Sequence, residues 1–292
     1  MVFGRVLAAM ITPFDDNLEV NYQAAQKLAE YLIDNGNDGV VVSGTTGESP
    51  TLSFTEKVKL YQAVKEAIGN KGQVIAGTGS YNTQESIELT KRAEEIGVDG
   101  VMLVVPYYNK PPQDALYEHF KAIAQSTKLP VMLYNVPGRT STNLLPETVA
   151  KLTEIPNIKA FKEAAGNMDQ VSLLKSLVPD DFLIFSGDDS LTLPMLALGA
   201  HGIVSVASHV AGKEIKEMIE SFIQGDVEKA LKIHLNLFNL FRTLFITTNP
   251  IPVKTAVNLM GINAGGLRLP MIKATPEQEA KIRESLQKLG KL

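Results

Sequence analysis

Ile96-Gly97-Val98-Asp99-Gly100-Val101 contains a pattern that occurs three times in the chain. The other copies are Asn35-Gly36-Asn37-Asp38-Gly39-Val40 and Leu198-Gly199-Ala200-His201-Gly202-Ile203. Each copy follows a helical pattern and precedes an apolar run of strand length. The first glycine suits the left-handed position that ends a helix, and the apolar run suits a strand buried on both faces. The three segments therefore predict helix-to-strand joints in a repeating β/α array.

Apolar runs of strand length recur every ~20–35 residues, which is the size of one β/α step. They lie near Val6–Ile11, Val40–Ser43, Val74–Ala76, Val101–Val105, Val131–Tyr134, Ile158–Phe161, Leu183–Phe185 and Ile203–Val206. Ser53 with Glu56, and Asn82 with Glu85, have the spacing of a capping box at a helix start. Eight such units predict an α/β fold, a closed (β/α)₈ TIM barrel, with a doubly wound open sheet as the alternative.

The strand pattern stops after Ser208, and only helical patterns follow. They cover Glu214–Gln224, Val227–Ile246, Pro252–Met260 and Pro276–Leu289. The second is apolar on much of its circumference, which indicates burial on several sides or a subunit contact. We expect residues 1–209 to form the catalytic barrel and residues 210–292 to form a C-terminal helical region packed on it.

The composition excludes several classes of protein. The 292 residues include no cysteine, which removes disulfides, thiolate nucleophiles and Cys-based metal sites. The formal net charge is -4 and no block of Lys or Arg occurs, so nucleic-acid binding is not expected. No apolar run approaches the roughly 18 residues that span a bilayer. We interpret the chain as a soluble cytoplasmic protein.

The four histidines do not form a predicted site. His201 lies in a helix-to-strand joint, on the face opposite the expected chemistry, and His119 and His234 lie in helical patterns. His209 follows the last strand near the barrel mouth but has no evident partner in the sequence. No metal-ligand spacing and no nucleotide-binding glycine loop is present, so no metal site is expected.

Lys162 is the strongest candidate for chemistry. The loops that follow strands gather at the carboxyl-terminal face of a barrel, where active sites lie. Alternation along the strand places Lys162 on the same side as Ile158 and Ala160, so it projects into the barrel mouth if that side faces inward. Burial would lower its pKa, and a neutral amine attacks a carbonyl to form an imine. The alternative is a lysine paired with Glu163 at a strand end.

Three further features lie in the same set of loops. Thr45 and Thr46 occupy a glycine-bounded loop whose N–H and hydroxyl groups could hold a carboxylate, or simply form an ordinary turn. Tyr134 ends a strand, where a phenol could pass protons or bond to the backbone. Arg139 could clamp a carboxylate with two hydrogen bonds, or form a surface ion pair.

Together, Gly44–Glu48, Tyr134–Thr140 and Lys162-Glu163-Ala164 resemble the dihydrodipicolinate synthase family, which belongs to the pyruvate-dependent class I aldolases. The resemblance extends from about Arg5 to Leu267–Pro270. It implies a (β/α)₈ barrel with a helical tail, assembled as a tetramer of two tight dimers. It implies condensation of pyruvate with L-aspartate 4-semialdehyde to 4-hydroxy-tetrahydrodipicolinate, in diaminopimelate and lysine biosynthesis.

The same resemblance implies roles for the catalytic residues. Lys162 would form the imine with pyruvate, so no redox or metal cofactor is expected. Tyr134, Thr45 and Tyr108 would form a proton relay, with Tyr108 reaching in from the neighbouring subunit. The imine would act as the electron sink in place of a cofactor.

The resemblance also implies substrate-binding roles. Thr46 would hold the pyruvate carboxylate, and Arg139 would bind the carboxylate of the aldehyde substrate. Gly187 and Val204 would line the pyruvate site largely through their backbone.

The resemblance covers an effector site for lysine only in part, because some positions match and others do not. Those that match are Ser49, Glu85 and Tyr107. Those that depart from lysine-inhibited members are Pro50, Phe54, Lys57 and Tyr81. We therefore predict weak or absent feedback inhibition by lysine.

Two other functions are compatible with parts of this pattern. N-acetylneuraminate lyases and 2-keto-3-deoxy sugar-acid aldolases share the lysine and the tyrosine. Arg139 favours the synthase, because its second substrate carries a carboxylate. A non-catalytic barrel that binds a keto acid would form the imine without turnover.

Overall fold

Eight parallel strands close into one barrel, in which each strand bonds to the next along the chain and the last bonds to the first. The computed structural model describes residues 2–292. The strands are β1 Val6–Ala9, β2 Gly39–Val42, β3 Gln73–Gly77, β4 Gly100–Val104, β5 Val131–Asn135, β6 Ile158–Glu163, β7 Leu183–Ser186 and β8 Gly202–Ser205. The closed barrel is confirmed, and the open-sheet alternative is wrong.

Helices connect the strands and continue beyond the last one. They are α1 Tyr22–Asp34, α2 Phe54–Ile68, α3 Thr83–Ile96, α4 Gln113–Ala124, α5 Pro137–Thr140, α6 Pro146–Leu152, α7 Met168–Leu177, α8 Thr192–Ala197, α9 Ser208–Ile223, α10 Val227–Thr243, α11 Ile251–Leu259 and α12 Pro276–Lys288. The capping box of Ser53 and Glu56 opens α2 as predicted. Asn82 caps α3 by accepting bonds from two backbone N–H groups, without a reciprocal bond from Glu85.

The repeated glycine pattern performs two physical tasks. Its first glycine is left-handed in the predicted manner, with φ of +94° at Gly36 and +82° at Gly97. Its second glycine starts a strand that lies against its neighbour. A Cβ at Gly39 would lie 2.6 Å from the carbonyl oxygen of Gln73 on β3. The pattern therefore ends a helix and then allows two strand backbones to approach each other.

Helices α9 to α12 form the chain's C-terminal region, in which α10 packs on α9 and α11 packs on both α9 and α12. The expected division after residue 209 falls within α9, which begins at Ser208 and leaves helical geometry at Ala211. That division stays a prediction.

Helix α10 has two different apolar faces. Leu237, Leu240 and Phe241 are buried, whereas Leu231 and Leu235 are exposed. The buried face accounts for the packing of α10 within the chain. The exposed face fits the expected subunit contact, because exposed apolar patches favour association.

Candidate active site

A cavity of about 210 Å³ opens at the carboxyl-terminal ends of the strands. Thr45, Tyr134 and Arg139 line it, and so do Ser49 and Tyr107. Three predicted site residues and two predicted effector residues thus border one cavity. Its location is where barrel enzymes carry their chemistry.

Lys162 lies at the end of β6 and is 5% exposed. Burial lowers its pKa from 10.5 to about 7, the charge of Arg139 acts in the same direction, and the charge of Asp189 opposes it. None of the ion pairs within residues 2–292 includes Lys162. The alternative pairing with Glu163 is therefore wrong. A large fraction of this amine is uncharged near neutral pH, which a nucleophile requires.

Tyr134 lies beside Lys162 because the two residues are paired in register on β5 and β6. The Lys162 Nζ atom is 4.2 Å from the centre of the Tyr134 ring. Burial raises the pKa of Tyr134, while polar contact with the Thr45 side chain and the charge of Arg139 act against that rise. The phenol is therefore protonated at neutral pH and can donate a proton to an atom held near the amine.

Thr45 and Thr46 lie in the predicted hydrogen-bonded turn, whereas their role in holding a carboxylate stays a prediction. The turn is an ordinary hydrogen-bonded one, because Gly47 N–H donates to the Gly44 carbonyl at 3.1 Å and Glu48 N–H to the Thr45 carbonyl at 3.1 Å. The N–H groups of Thr45 and Thr46 have no acceptor among the described residues. Two adjacent free N–H groups can bind an anion.

Arg139 lies on the short helix α5 and borders the cavity. Its Nη2 donates to the backbone oxygen of Asn249 at 3.3 Å. No carboxylate of residues 2–292 forms an ion pair with it, so the alternative of a surface ion pair is wrong. The guanidinium is available to a ligand that carries a carboxylate.

The remaining predicted site residues differ in how close they lie to Lys162 and to the cavity. Gly187 is next to the amine, because a Cβ there would lie 3.0 Å from the Lys162 Cε atom. Val204 is buried on β8 and does not border the cavity. Tyr108 is 92% exposed, has a left-handed φ of +72° and also does not border the cavity of its own chain.

A buried polar network behind the amine was missed by sequence reasoning. The Glu163 carboxylate accepts bonds from Gln170 Nε2 at 2.7 Å, Ala165 N–H at 2.7 Å and Asn135 Nδ2 at 3.1 Å. Burial raises the pKa of Glu163, and these donors act against that rise. Asn135 and Glu163 follow Tyr134 and Lys162 directly, so the network fixes the ends of both strands.

Asp189 is a second buried acid, and the sequence pattern predicts no role for it. Its carboxylate accepts bonds from the Ser205 hydroxyl and, at 3.1 Å each, from the N–H groups of Val206 and Ala207. Burial raises its pKa to about 6. The carboxylate joins the loop after β7 to the end of β8.

His209 has partners that its sequence context did not reveal. It is fully buried; its Nε2 accepts from the N–H of Ile11 at 3.2 Å, and its Nδ1 bonds to the Val206 carbonyl at 2.9 Å. Burial lowers its pKa to about 4. His209 is therefore a structural link between chain segments.

The predicted effector residues extend from the cavity towards α2 and α3. Tyr107 stacks edge-on with Tyr81 at 5.1 Å between ring centres, and Glu85 accepts a bond from the Ser80 hydroxyl at 3.3 Å. Lys57 is buried nearby. Burial lowers the pKa of Lys57, and the negative charge of Glu85 opposes that effect.

Two general features of the described residues bear on the class of protein. No group of three or more His, Cys, Asp or Glu side chains within residues 2–292 is arranged to hold a metal ion. In the same part of the chain, every helix is too short or too polar to cross a membrane.

The fold and the cavity define the class of this protein: it is a (β/α)₈ barrel enzyme with a buried lysine at its carboxyl-terminal face. Residues 2–289 match the model of the dihydrodipicolinate synthetase family, and the chain belongs to that family. It is 58% identical over 288 residues to a 4-hydroxy-tetrahydrodipicolinate synthase of Desulforamulus reducens, covering 98% of this chain and 97% of the relative.

Solved structures agree with this assignment. A dihydrodipicolinate synthase from Cyanidioschyzon merolae with lysine bound has a TM-score of 0.98 and 48% identity, covering 100% of this chain and 99% of the other. A dihydrodipicolinate synthase from Bacillus anthracis has a TM-score of 0.95 and 51% identity, with 98% of each chain covered. The resemblance inferred from three short motifs is confirmed over nearly the whole chain.

Proposed function

We propose that this chain is a lyase that condenses pyruvate with L-aspartate 4-semialdehyde to 4-hydroxy-tetrahydrodipicolinate, for diaminopimelate and lysine biosynthesis. The observation that carries the proposal is the buried Lys162 amine, whose pKa is lowered to about 7, beside the Tyr134 phenol. The relatives' activity supports the choice of substrates, because the similarity covers the whole barrel and its tail.

Lys162 starts the reaction by attacking the carbonyl carbon of pyruvate. Loss of water gives a protonated imine between Nζ and that carbon. The imine acidifies the methyl group, so removal of one methyl proton gives an enamine. The enamine carbon then forms a bond to the aldehyde carbon of the second substrate, whose oxygen takes up a proton and becomes the 4-hydroxyl group. The amino group of that substrate attacks the imine carbon and displaces the Lys162 amine, which closes the ring and returns the free enzyme. The imine serves as the electron sink, so the chemistry requires no separate cofactor.

A relay of hydroxyl groups moves the protons in these steps. Tyr134 is the central member, since its phenol lies beside the amine and stays protonated at neutral pH. Thr45 contacts it within the cavity. Tyr108 is exposed and does not border the cavity of its own chain, which supports a role in the cavity of a neighbouring subunit. A positioned proton donor of this kind contributes about 10²–10⁴-fold to a rate.

The two substrate carboxylates bind at different places. The free N–H groups of Thr45 and Thr46, together with the Thr46 hydroxyl, hold the carboxylate of pyruvate. Arg139 holds the carboxylate of the aldehyde. Gly187 leaves room for the substrate beside the Lys162 side chain, and Val204 supports the same wall through its backbone.

The positions of Tyr108 and of the exposed face of α10 indicate how the subunits assemble. A site completed by the partner subunit's Tyr108 requires at least a tight dimer. The exposed apolar face of α10 suits a second contact, which gives a tetramer of two dimers. Residues 1–209 form the catalytic barrel, residues 210–292 form the helical region that covers part of it, and the enzyme acts in the cytoplasm.

An activity assay with both substrates tests the proposal against its rivals. Purified protein should consume aspartate 4-semialdehyde only when pyruvate is present, and Lys162→Ala should abolish this while Lys159→Ala should not. Lys159 is the matched control because it lies on the same strand but points to the opposite side. Faster cleavage of N-acetylneuraminate or a 2-keto-3-deoxy sugar acid would favour the sugar aldolases. Imine formation without consumption of the aldehyde would favour a binding protein.

A further inference from the structure

The Thr46 side chain accepts a hydrogen bond from a side-chain amide of the C-terminal region. Asn249 Nδ2 donates to the Thr46 hydroxyl oxygen at 2.9 Å, across 203 positions of sequence. Both side chains are buried, with 3% of Thr46 and 5% of Asn249 exposed. Asn249 precedes α11, so this bond connects the helical tail to the loop that holds the substrate.

This bond has a consequence for the direction of the Thr46 hydroxyl proton. A hydroxyl has one proton to donate and two lone pairs that accept. The Asn249 amide occupies a lone pair, and no acceptor among the described residues takes the hydroxyl proton. The N–H of Thr46 is also without an acceptor in that part of the chain. Thr46 therefore presents two donors, which is the arrangement that a carboxylate needs.

We propose that Asn249 is a positioning residue that fixes the polarity of the Thr46 hydroxyl, so that its proton faces the carboxylate of the keto acid. Without this amide, the hydroxyl is free to turn and present a lone pair to the anion. This inference rests on the proposed function, because it assigns Thr46 to the carboxylate of pyruvate.

The structure separates the two contacts that Asn249 makes near the site. Its side chain bonds to Thr46, whereas its backbone oxygen accepts the bond from Arg139 at 3.3 Å. Lys254 on α11 forms a buried ion pair with Glu48 at 2.9 Å and anchors the same segment to the threonine loop. Changing only the Asn249 side chain thus leaves the backbone contact with Arg139 in place.

Steady-state kinetics with Asn249→Ala provides the first test. The KM for pyruvate should rise by about 5–10-fold, the effect of one hydrogen bond, because the hydroxyl is no longer oriented. The KM for aspartate 4-semialdehyde should stay within about twofold, since the hydrogen bond from Arg139 remains. Equal increases in both KM values would overturn the inference in favour of general loosening of the site.

A double-mutant cycle with Thr46→Val shows whether Asn249 acts through Thr46. In that background Asn249→Ala should change the KM for pyruvate by less than about twofold, because the hydroxyl that it orients is already gone. The same 5–10-fold increase with and without the Thr46 hydroxyl would refute the inference.

Asn249→Asp provides a variant of nearly unchanged shape, should the alanine variant fold poorly. An ionised carboxylate would accept the Thr46 proton and reverse the polarity, so the KM for pyruvate should rise by about 10–100-fold. A parent-like KM would overturn the inference.

Borohydride trapping at saturating pyruvate serves as the control. Failure to modify Lys162 in the parent would refute the proposed function itself, whereas trapping with unchanged KM values refutes only the role of Asn249.

Discussion

Replacing Lys162 by Met is expected to abolish imine formation and, at the same time, to stabilise the fold. The parent protein buries an amine that is largely protonated when the chain is unfolded. Methionine fills a similar volume with an apolar chain, which carries no penalty for a buried charge. The gain in stability is a direct measure of how strongly the protein desolvates its nucleophile.

The magnitude follows from the pKa of Lys162, which falls from 10.5 to about 7 on folding. At about 1.36 kcal/mol for each unit of pKa, the cost of holding this amine is on the order of 5 kcal/mol at and below about pH 7, where it is protonated in both the folded and the unfolded chain. Between about pH 7 and 10.5 the unfolded chain binds more protons than the folded one, so the parent becomes more stable as the pH rises. The advantage of Lys162→Met should therefore be greatest below about pH 7 and shrink across that window.

Urea unfolding at several pH values between about 6 and 9.5 measures this difference. Lys159→Met is the matched control, because Lys159 lies on the same strand but is partly exposed. It should change the free energy of unfolding by less than about 0.5 kcal/mol, as most surface substitutions do. If Lys162→Met were no more stable than the parent at acidic pH, or if its advantage did not shrink as the pH rose, the reasoning about the buried amine would be refuted.

Three further outcomes are expected. Glu48→Gln should lower the free energy of unfolding in urea by about 3–5 kcal/mol, because it leaves the buried Lys254 ammonium without its partner; a loss below about 1 kcal/mol would contradict this. Tyr134→Phe should reduce kcat by about 10²-fold or more while pyruvate can still be trapped on Lys162, and a near-parental kcat would remove Tyr134 from the relay. L-lysine should inhibit weakly or not at all, since the buried Lys57 already places an ammonium within the field of Glu85; strong inhibition at low concentration in an activity titration would contradict this.

The barrel could be predicted because its signals are local and repeated. The joints at Gly36, Gly97 and Gly199 combine a left-handed helix end with an apolar strand, and all three are left-handed in the structure. The period-two alternation along β6 also predicts that Lys162 shares a side with Ile158 and Ala160, and all three side chains are buried in the structure. Local chemistry thus determined the elements, their order and the most important side chain.

The parts that could not be predicted depend on contacts between distant segments. Asn249 meets Thr46 across 203 positions, and Lys254 meets Glu48 across 206. Neither pair has a local pattern that signals it, since the partners become neighbours only when the C-terminal helices fold over the barrel mouth. The contact of His209 with Ile11 escaped prediction for the same reason, because the two residues lie 198 positions apart.

The capping prediction at Asn82 shows a subtler limit. The spacing to Glu85 predicts a reciprocal capping box, yet Asn82 accepts bonds from the helix while the Glu85 carboxylate accepts a bond from Ser80. Spacing identifies where a helix begins, but a competing hydrogen-bond donor decides where a carboxylate points.

Mass spectrometry after borohydride reduction in the presence of pyruvate shows whether Lys162 is the nucleophile. One reduced pyruvate should be attached to the peptide that carries Lys162, and the yield should rise with pH through about 7 as the amine loses its proton. An unmodified Lys162 peptide, or a yield that rises only near the ordinary pKa of lysine, would contradict this role of Lys162.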